Sequence, residues 1–558
     1  MSELKNNNNG FLYTALGAVF LSTSMLPSTS SATLSWQVGD GVKVDFTNTL
    51  RYSAAARVKD RDSKLLVNPN LDDGNQNFST GLISNRFELY SELDVVSDKG
   101  YGARVSAQGL YDTVYNGDND NPGFPKAFPN HTSKDYDEFT EQTRDQHGRY
   151  LEVRDAFVFG GLELGDTRLS GRLGQHSLVW GESLFFANNA IAGAQSPFDT
   201  PRLLIDPTAE AKEFVLPVPQ VSGQWELTDT LSLGAYYQFR HRENRIPGVG
   251  SYFSYSDIVG EGAERMLLGP GLAAGRESDM DPDDSGQFGL QLRWQLGETD
   301  LGFYALRFHD KDLQVVTRLG QPFGPQGPVL PTSYYRAYHE DTTLYGFSAS
   351  RSFGDVNLAT EASIRKDQSL ASSHAVDASA LAPPGVIAAS DNNSNPAYAV
   401  GDTAHINVST IWSVPSTPLW SEANLVAEVA WTRLLHCEKN CDTALDPNAT
   451  RDSWSMRGVF KPTYRQVVSG LDLSVPIGIG YTPKGSRNIL GPWAVPAEDG
   501  GDFTIGLTGL YMNELELGLA YTHFFGSTGE LLDENLSYSY QQARKDRDFV
   551  AFTAKYSF

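Results

Sequence analysis

Several patterns in the chain place reactive side chains at spacings that chemistry can use. In RESDMDPDDSG, Asp279, Asp281 and Asp283 stand at positions 1, 3 and 5, with Asp284 beside them, as in a calcium loop. That loop also needs Gly at position 6 and Glu at 12. Here those positions hold Asp284 and Leu290, so a solvated acidic loop is the plainer reading. His131 and Ser133 stand two apart, the spacing a strand would need to bring a base beside a nucleophile, but they follow Pro129 in a polar stretch. His176 and Ser177 are adjacent and would face opposite sides of a strand. Cys437 and Cys441 are the only cysteines. In an exported chain they point to a short disulfide; a metal site would have only His436 as an obvious third ligand. None of these patterns is complete as an active site. The sequence therefore predicts no catalytic residue, no metal and no cofactor.

Charge supplies a further pattern. Arg51, Arg86, Arg104, Arg168, Arg172, Arg240, Arg365 and Arg457 share polar strand faces with Glu88, Glu92, Glu361, Glu428 and Glu516. They can pair to stiffen a wall or form a charged constriction that selects solutes. The formal net charge is −24, with a sequence pI near 4.8, which argues against a nucleic-acid binder.

The elements that carry these residues are strands. In VKVDFTNTLRY, Val42, Val44, Phe46, Leu50 and Tyr52 alternate with Lys43, Asp45, Thr47, Thr49 and Arg51. The same period recurs around Phe87 and Leu89, Leu290 and Leu292, Leu358 and Ile364, and Leu517 and Leu519. Short links such as SDKG at 97–100 and GETD at 297–300 alternate with long polar ones, at 58–82, 116–148, 177–212, 246–284, 311–340, 367–401, 434–452, 483–501 and 526–546. A soluble β-sandwich has no reason to sort its loops by length; a membrane barrel has. The pattern predicts an all-β fold: a closed antiparallel transmembrane barrel of about 18 strands, with long outer loops and short periplasmic turns. Closure follows because hydrocarbon cannot satisfy a free strand edge.

Residues 1–32 read as a secretory signal, with Lys5, the apolar run Phe11–Leu21 and small residues up to Ala32. The apolar run is too short for a spanning helix, which needs about 20 residues. Residues 33–558 are then the barrel, and the few residues before Val42 leave no room for an N-terminal plug. The chain closes on DFVAFTAKYSF, where Phe552, Tyr556 and Phe558 alternate with polar residues. This pattern resembles the strand that the barrel-assembly machinery reads in bacterial outer-membrane proteins.

One long link differs from the rest. Between Ser170 and Val218 it carries Trp180, Leu184, Phe185, Phe186, Ile191, Phe198, Leu203, Leu204 and Ile205. Apolar side chains on a solvated tip are costly, so the link should bury itself, and a wide barrel offers its lumen. The run Arg172, Gly174, Gln175, Trp180-Gly181-Glu182-Ser183, Phe185, Ile191, Pro197, Asp199, Arg202, Glu210, Lys212, Glu213 and Pro217 resembles the hallmark of a proteobacterial outer-membrane family, domain of unknown function 1302 (DUF1302). Asn188–Gly193 and the DPTAEAKE stretch depart from the family's usual turns. The resemblance implies an outer-membrane, channel-like barrel of a Gram-negative bacterium that handles hydrophobic or amphipathic, sterol- or lipid-like molecules.

The expected function is passive uptake of such molecules. The expected partners are outer-membrane lipid, the assembly machinery and a small solute. The rival expectations are a non-conducting structural or adhesion barrel and, more remotely, a lipase using Ser133. The loop at 177–212 is expected to fold into the lumen, the alternative being a cover over the mouth or a contact with a neighbouring barrel. Trp180, Phe185, Phe186 and Phe198 would form an aromatic wall. Asn188, Asn189 and Asp199 would orient a solute, and Glu182 would pair with Arg168 or Arg172. The sequence assigns no oligomeric state.

Overall fold

The computed structural model describes residues 34–39, 41–205, 211–320, 329–383, 385–484 and 497–558. The expected signal at 1–32 and Glu210 of the family hallmark lie outside the described residues. Eighteen antiparallel strands close into one barrel. In order they are Val42–Arg57, Gly81–Ser97, Gly102–Asp112, Arg149–Leu164, Thr167–His176, Val218–Thr228, Leu231–Gln238, Phe288–Leu296, Thr299–Phe308, Thr342–Phe353, Val356–Ser369, Val400–Val414, Glu422–Lys439, Asp452–Val468, a broken strand, Gly500–Tyr511, Leu515–Phe525 and Phe549–Ser557. The broken strand is Leu471–Ser474 continued by Ile477–Lys484, and both halves pair with Gly500–Tyr511. Pro476, which has no N–H to give, stands at the break.

The seam joins the ends of the chain. Val42–Arg57 pairs with Gly81–Ser97 on one side and with Phe549–Ser557 on the other. The backbone N–H and C=O of Asn48 exchange bonds of 2.8 Å with those of Phe558. A short strand, Leu34–Gln37, continues along the same edge from Lys43 to Phe46.

The two faces of the wall are inverted relative to a soluble protein. Leu50 is 47% exposed and its neighbour Arg51 3%; Phe87 is 53% exposed and Glu88 5%. Apolar outer surface of this extent would oppose folding in water by about 25 cal/mol per Å², whereas against hydrocarbon that cost disappears. Aromatic residues ring the outer face at two levels. Trp225, Trp294, Phe353, Trp412 and Tyr511 lie near the short turns, and Tyr111, Tyr237, Phe288, Tyr345 and Trp454 near the long loops, all exposed. Leu89, Leu290, Leu358, Val408 and Leu519 fill the band between them. This is the surface of a transmembrane barrel.

The long loops hold more order than their composition suggests. Arg265–Gly269, Leu272–Arg276, Gln314–Leu319, Pro331–Ala337 and Val376–Asp377 form a second, five-stranded sheet that joins three outer loops. The stretch from Val249 to Gly260 is buried throughout, with Tyr252 and Phe253 packed against Phe78, Tyr115, Phe139 and Phe549.

Candidate functional site

The strand Thr167–His176 ends where His176 Nε2 meets Ser222 Oγ at 2.8 Å, and the apolar link begins there. Its backbone folds as short helical turns, Ala187–Asn189, Ile191–Ala194, Thr200–Ile205 and Ala211–Phe214. Turns this short leave most of their N–H groups without intrahelical partners. The wall supplies the acceptors. Glu361 takes the N–H of Glu182 at 2.8 Å and of Ile191 at 3.2 Å. Glu428 takes those of Leu184, Phe185 and Phe186, and its other oxygen accepts from Asn407 Nδ2 at 2.6 Å. Ser409 Oγ donates to Glu182 O at 3.0 Å. Gly181, at φ +99°, makes this approach possible: a Cβ there would stand 2.3 Å from Glu361 Oε2.

These partners belong to the eleventh, twelfth and thirteenth strands, six to eight strands from where the link departs. The second half of the link is held by strands one, two and four. Glu213 pairs with Arg51 at 2.8 Å, and Arg202 pairs with both Glu88 and Glu213. Arg154 donates to Glu213 O and Val215 O at 3.3 and 2.9 Å. Asp199 holds Arg245 at 2.7 Å.

Trp180 is buried against Tyr236 and Tyr304, with ring centroids 5.1 and 6.2 Å apart. Phe198 is buried beside Phe214. Asn189 is spent on protein: its Nδ2 donates to Asn407 Oδ1 at 2.8 Å and its Oδ1 meets His405 Nδ1 at 2.9 Å. Asn188 Nδ2 donates to Asp312 at 3.2 Å. Phe185 lies under the Arg457 guanidinium, 6.0 Å from the ring centre. Ser183, Leu184, Phe185, Phe186 and Asn188 remain half-buried.

The expected pairing of Glu182 with Arg168 or Arg172 is not formed. Arg168 lies at the turn end of its strand and pairs with Glu163 at 3.7 Å; Arg172 stands over the Phe157 ring. Glu182 instead lies beside Glu361, and burial pushes its carboxyl up to about 7, with Arg293 opposing the shift. The anchoring roles of Asn407, Ser409 and Arg154 had no signal in the sequence beyond a place on a strand. The buried stretch at 249–260 did have one, since Val249, Tyr252, Phe253, Tyr255, Ile258 and Val259 are as apolar as the link itself.

Cys437 and Cys441 form a disulfide. Cys437 sits in the strand Glu422–Lys439 rather than in the loop. Ser133 gives its hydroxyl hydrogen to Glu264, not to His131. Asp279 is held by Arg276 and Arg336.

A closed transmembrane barrel with a long apolar link tied to its polar face is the class that fold and site define. The chain belongs to the family described as protein of unknown function DUF1302, whose model matches residues 13–558. No curated protein sequence matches it. Among solved structures it is similar to the Acinetobacter baumannii OccAB4, at 10% identity and TM-score 0.40 over 92% of this chain and 98% of that one. It is also similar to Pseudomonas aeruginosa OpdK with vanillate, at 9% identity and TM-score 0.40 over 93% and 99%. The outer membrane channel DcaP of Acinetobacter baumannii is similar at 10% identity and TM-score 0.36 over 94% and 99%.

Proposed function

We propose that the protein is an outer-membrane channel of a Gram-negative bacterium, and that the link from Ser177 to Leu216 crosses its lumen as the constriction. One observation carries this reading: the link is bonded to strands one, two and four and to strands eleven to thirteen of a single ring. A chain tied to both sides of a ring spans it. Charged walls and half-buried Leu184, Phe185 and Phe186 together suit small amphipathic solutes, which need a polar path and an apolar surface. The residues that meet the solute on this reading are Ser183 to Asn188, with Trp180, Asn189, Phe198 and Asp199 holding the link in place.

The test removes Ser183 to Ala194 and measures single-channel conductance in planar bilayers and uptake of an apolar solute in proteoliposomes. The expected outcome is a larger conductance step and lost discrimination among solutes. A correctly assembled deletion protein with wild-type conductance and uptake would place the constriction elsewhere. Silence of the wild-type protein at all voltages would favour the non-conducting surface barrel, a reading supported by the amount of loop buried at 249–260.

A further inference from the structure

Several buried carboxylates in this protein have a cationic partner. Glu88 has Arg202 and Arg51, Asp546 has Arg57 at 2.9 Å, and Asp548 has His523 at 2.6 Å. Three acids in the outer loops differ. Asp72 and Asp73, from the loop after the first strand, and Asp257, from the loop after the seventh, are each at most 4% exposed. One carboxylate oxygen from each lies within 4.8 Å of the others. None of the three has an ion pair among the described residues. The nearby arginines are committed to backbone: Arg547 donates to Tyr252 O and Ser254 O, and Arg265 to Asn130 O and Pro129 O.

One oxygen of each carboxylate is placed by a hydrogen bond. Asp72 Oδ2 accepts from Gln76 Nε2 at 2.9 Å, Asp73 Oδ2 from Asn130 N at 3.1 Å and Asp257 Oδ2 from Asp73 N at 3.1 Å. This leaves Asp72 Oδ1, Asp73 Oδ1 and Asp257 Oδ1 buried with no partner. A separate side chain points the same way. Asn75, 1% exposed, has neither its Oδ1 nor its Nδ2 satisfied. It is the third residue of the single helical turn that follows Asp72, so it lies within one turn of both Asp72 and Asp73. Asn130, tied beside Asp73 by its own N–H, also has a buried Oδ1 without a partner. Buried charges are paired or bind metal, and a buried amide left unsatisfied opposes folding.

We propose that Asp72, Asp73 and Asp257, with Asn75 and Asn130, bind one calcium ion at the outer mouth. The donors are all oxygen, which suits a hard cation and not zinc or copper. Calcium accepts about six to eight oxygens from carboxylates and amide carbonyls in an irregular shell, whereas magnesium keeps several waters and is seldom held in an all-protein cage. The ion ties together three loops, those after the first, third and seventh strands. It also gives the three carboxylates the cationic partner that none of them has among the described residues.

The experiment uses full-length folded protein in detergent, stripped with EGTA and then dialysed against calcium or magnesium chloride. The expected result is one calcium bound per chain, with magnesium a weak competitor. Calcium should also raise the temperature at which heat-modifiable mobility is lost. D73N and D257N should weaken binding by about tenfold or more, and N75A by severalfold. D281N, in the exposed acidic loop, should leave binding unchanged. Failure of wild-type protein to bind calcium at millimolar concentration would overturn the proposal without reference to any variant. So would calcium binding that D281N abolishes and D257N spares.

Discussion

The apolar link is held at its two ends by different chemistry. Its first half, Glu182 to Ile191, offers bare backbone N–H groups to Glu361 and Glu428. Its second half, Asp199 to Val215, meets the wall through charged side chains of both partners: Arg202 and Glu213 against Glu88 and Arg51. At the first end the bonds to Glu361 and Glu428 come from the link's backbone, so residues other than Gly181 and Asn189 can change while these bonds stay intact. At the second, the link's own residues are specified, because each buried charge needs its opposite. Variation in solute contact can therefore concentrate at Ser183 to Asn188, while Arg202 and Glu213 keep the frame.

The largest expected effect comes from the charged end. E88A removes one shared partner of Arg202 and Arg51 and should cost about 3–5 kcal/mol in melting experiments, since it leaves both buried cations sharing Glu213. E88Q should not rescue it. E428A strands three N–H groups and should cost about 2 kcal/mol, with increased conductance noise. E428Q keeps an oxygen on the same stem and should restore most of that loss. If E88Q rescues as well as E428Q does, the two ends are of one kind and the distinction fails.

A smaller effect sharpens the same contrast. Glu182 is raised from an ordinary 4.5 to about 7 by burial. The docked link therefore takes up a proton that the undocked link would release. Docking is strongest below pH 4.5, weakens as pH rises toward 7, and levels off above it. Channel noise should grow between pH 5 and 8, and E182Q should flatten the profile.

The strand period was enough to read the wall. Leu50 outward and Arg51 inward follow from alternation alone, because a one-residue slip would turn every charge into the lipid. The apolar character of Trp180 to Ile205 was likewise enough to say that most of the link is covered, though Leu203 stays 42% exposed. The partners were not legible. Arginines near Glu182 in sequence are its expected partners, but Arg168 lies at the far end of its own strand and the link bonds to strands eleven and thirteen. Which inward residue meets which loop depends on ring geometry that no local pattern encodes. The small sheet of the outer loops escaped for a related reason. Strands of five to seven residues such as Arg265–Gly269 and Pro331–Ala337 are stabilised by their neighbours, and their local sequence reads as polar connection.

The seam described above has a kinetic consequence. Thr49 and Ser557 meet across 508 residues of chain. Loop-closure entropy grows only as the logarithm of length, so the distance adds little to the equilibrium cost. It weighs on time instead, because non-local pairing is slow. Until Asn48 and Phe558 exchange their bonds, two long strands present open edges to any neighbouring chain. The vulnerable species is thus a nearly finished ring, and its lifetime, more than the depth of the folded well, sets how much chain is lost to aggregation.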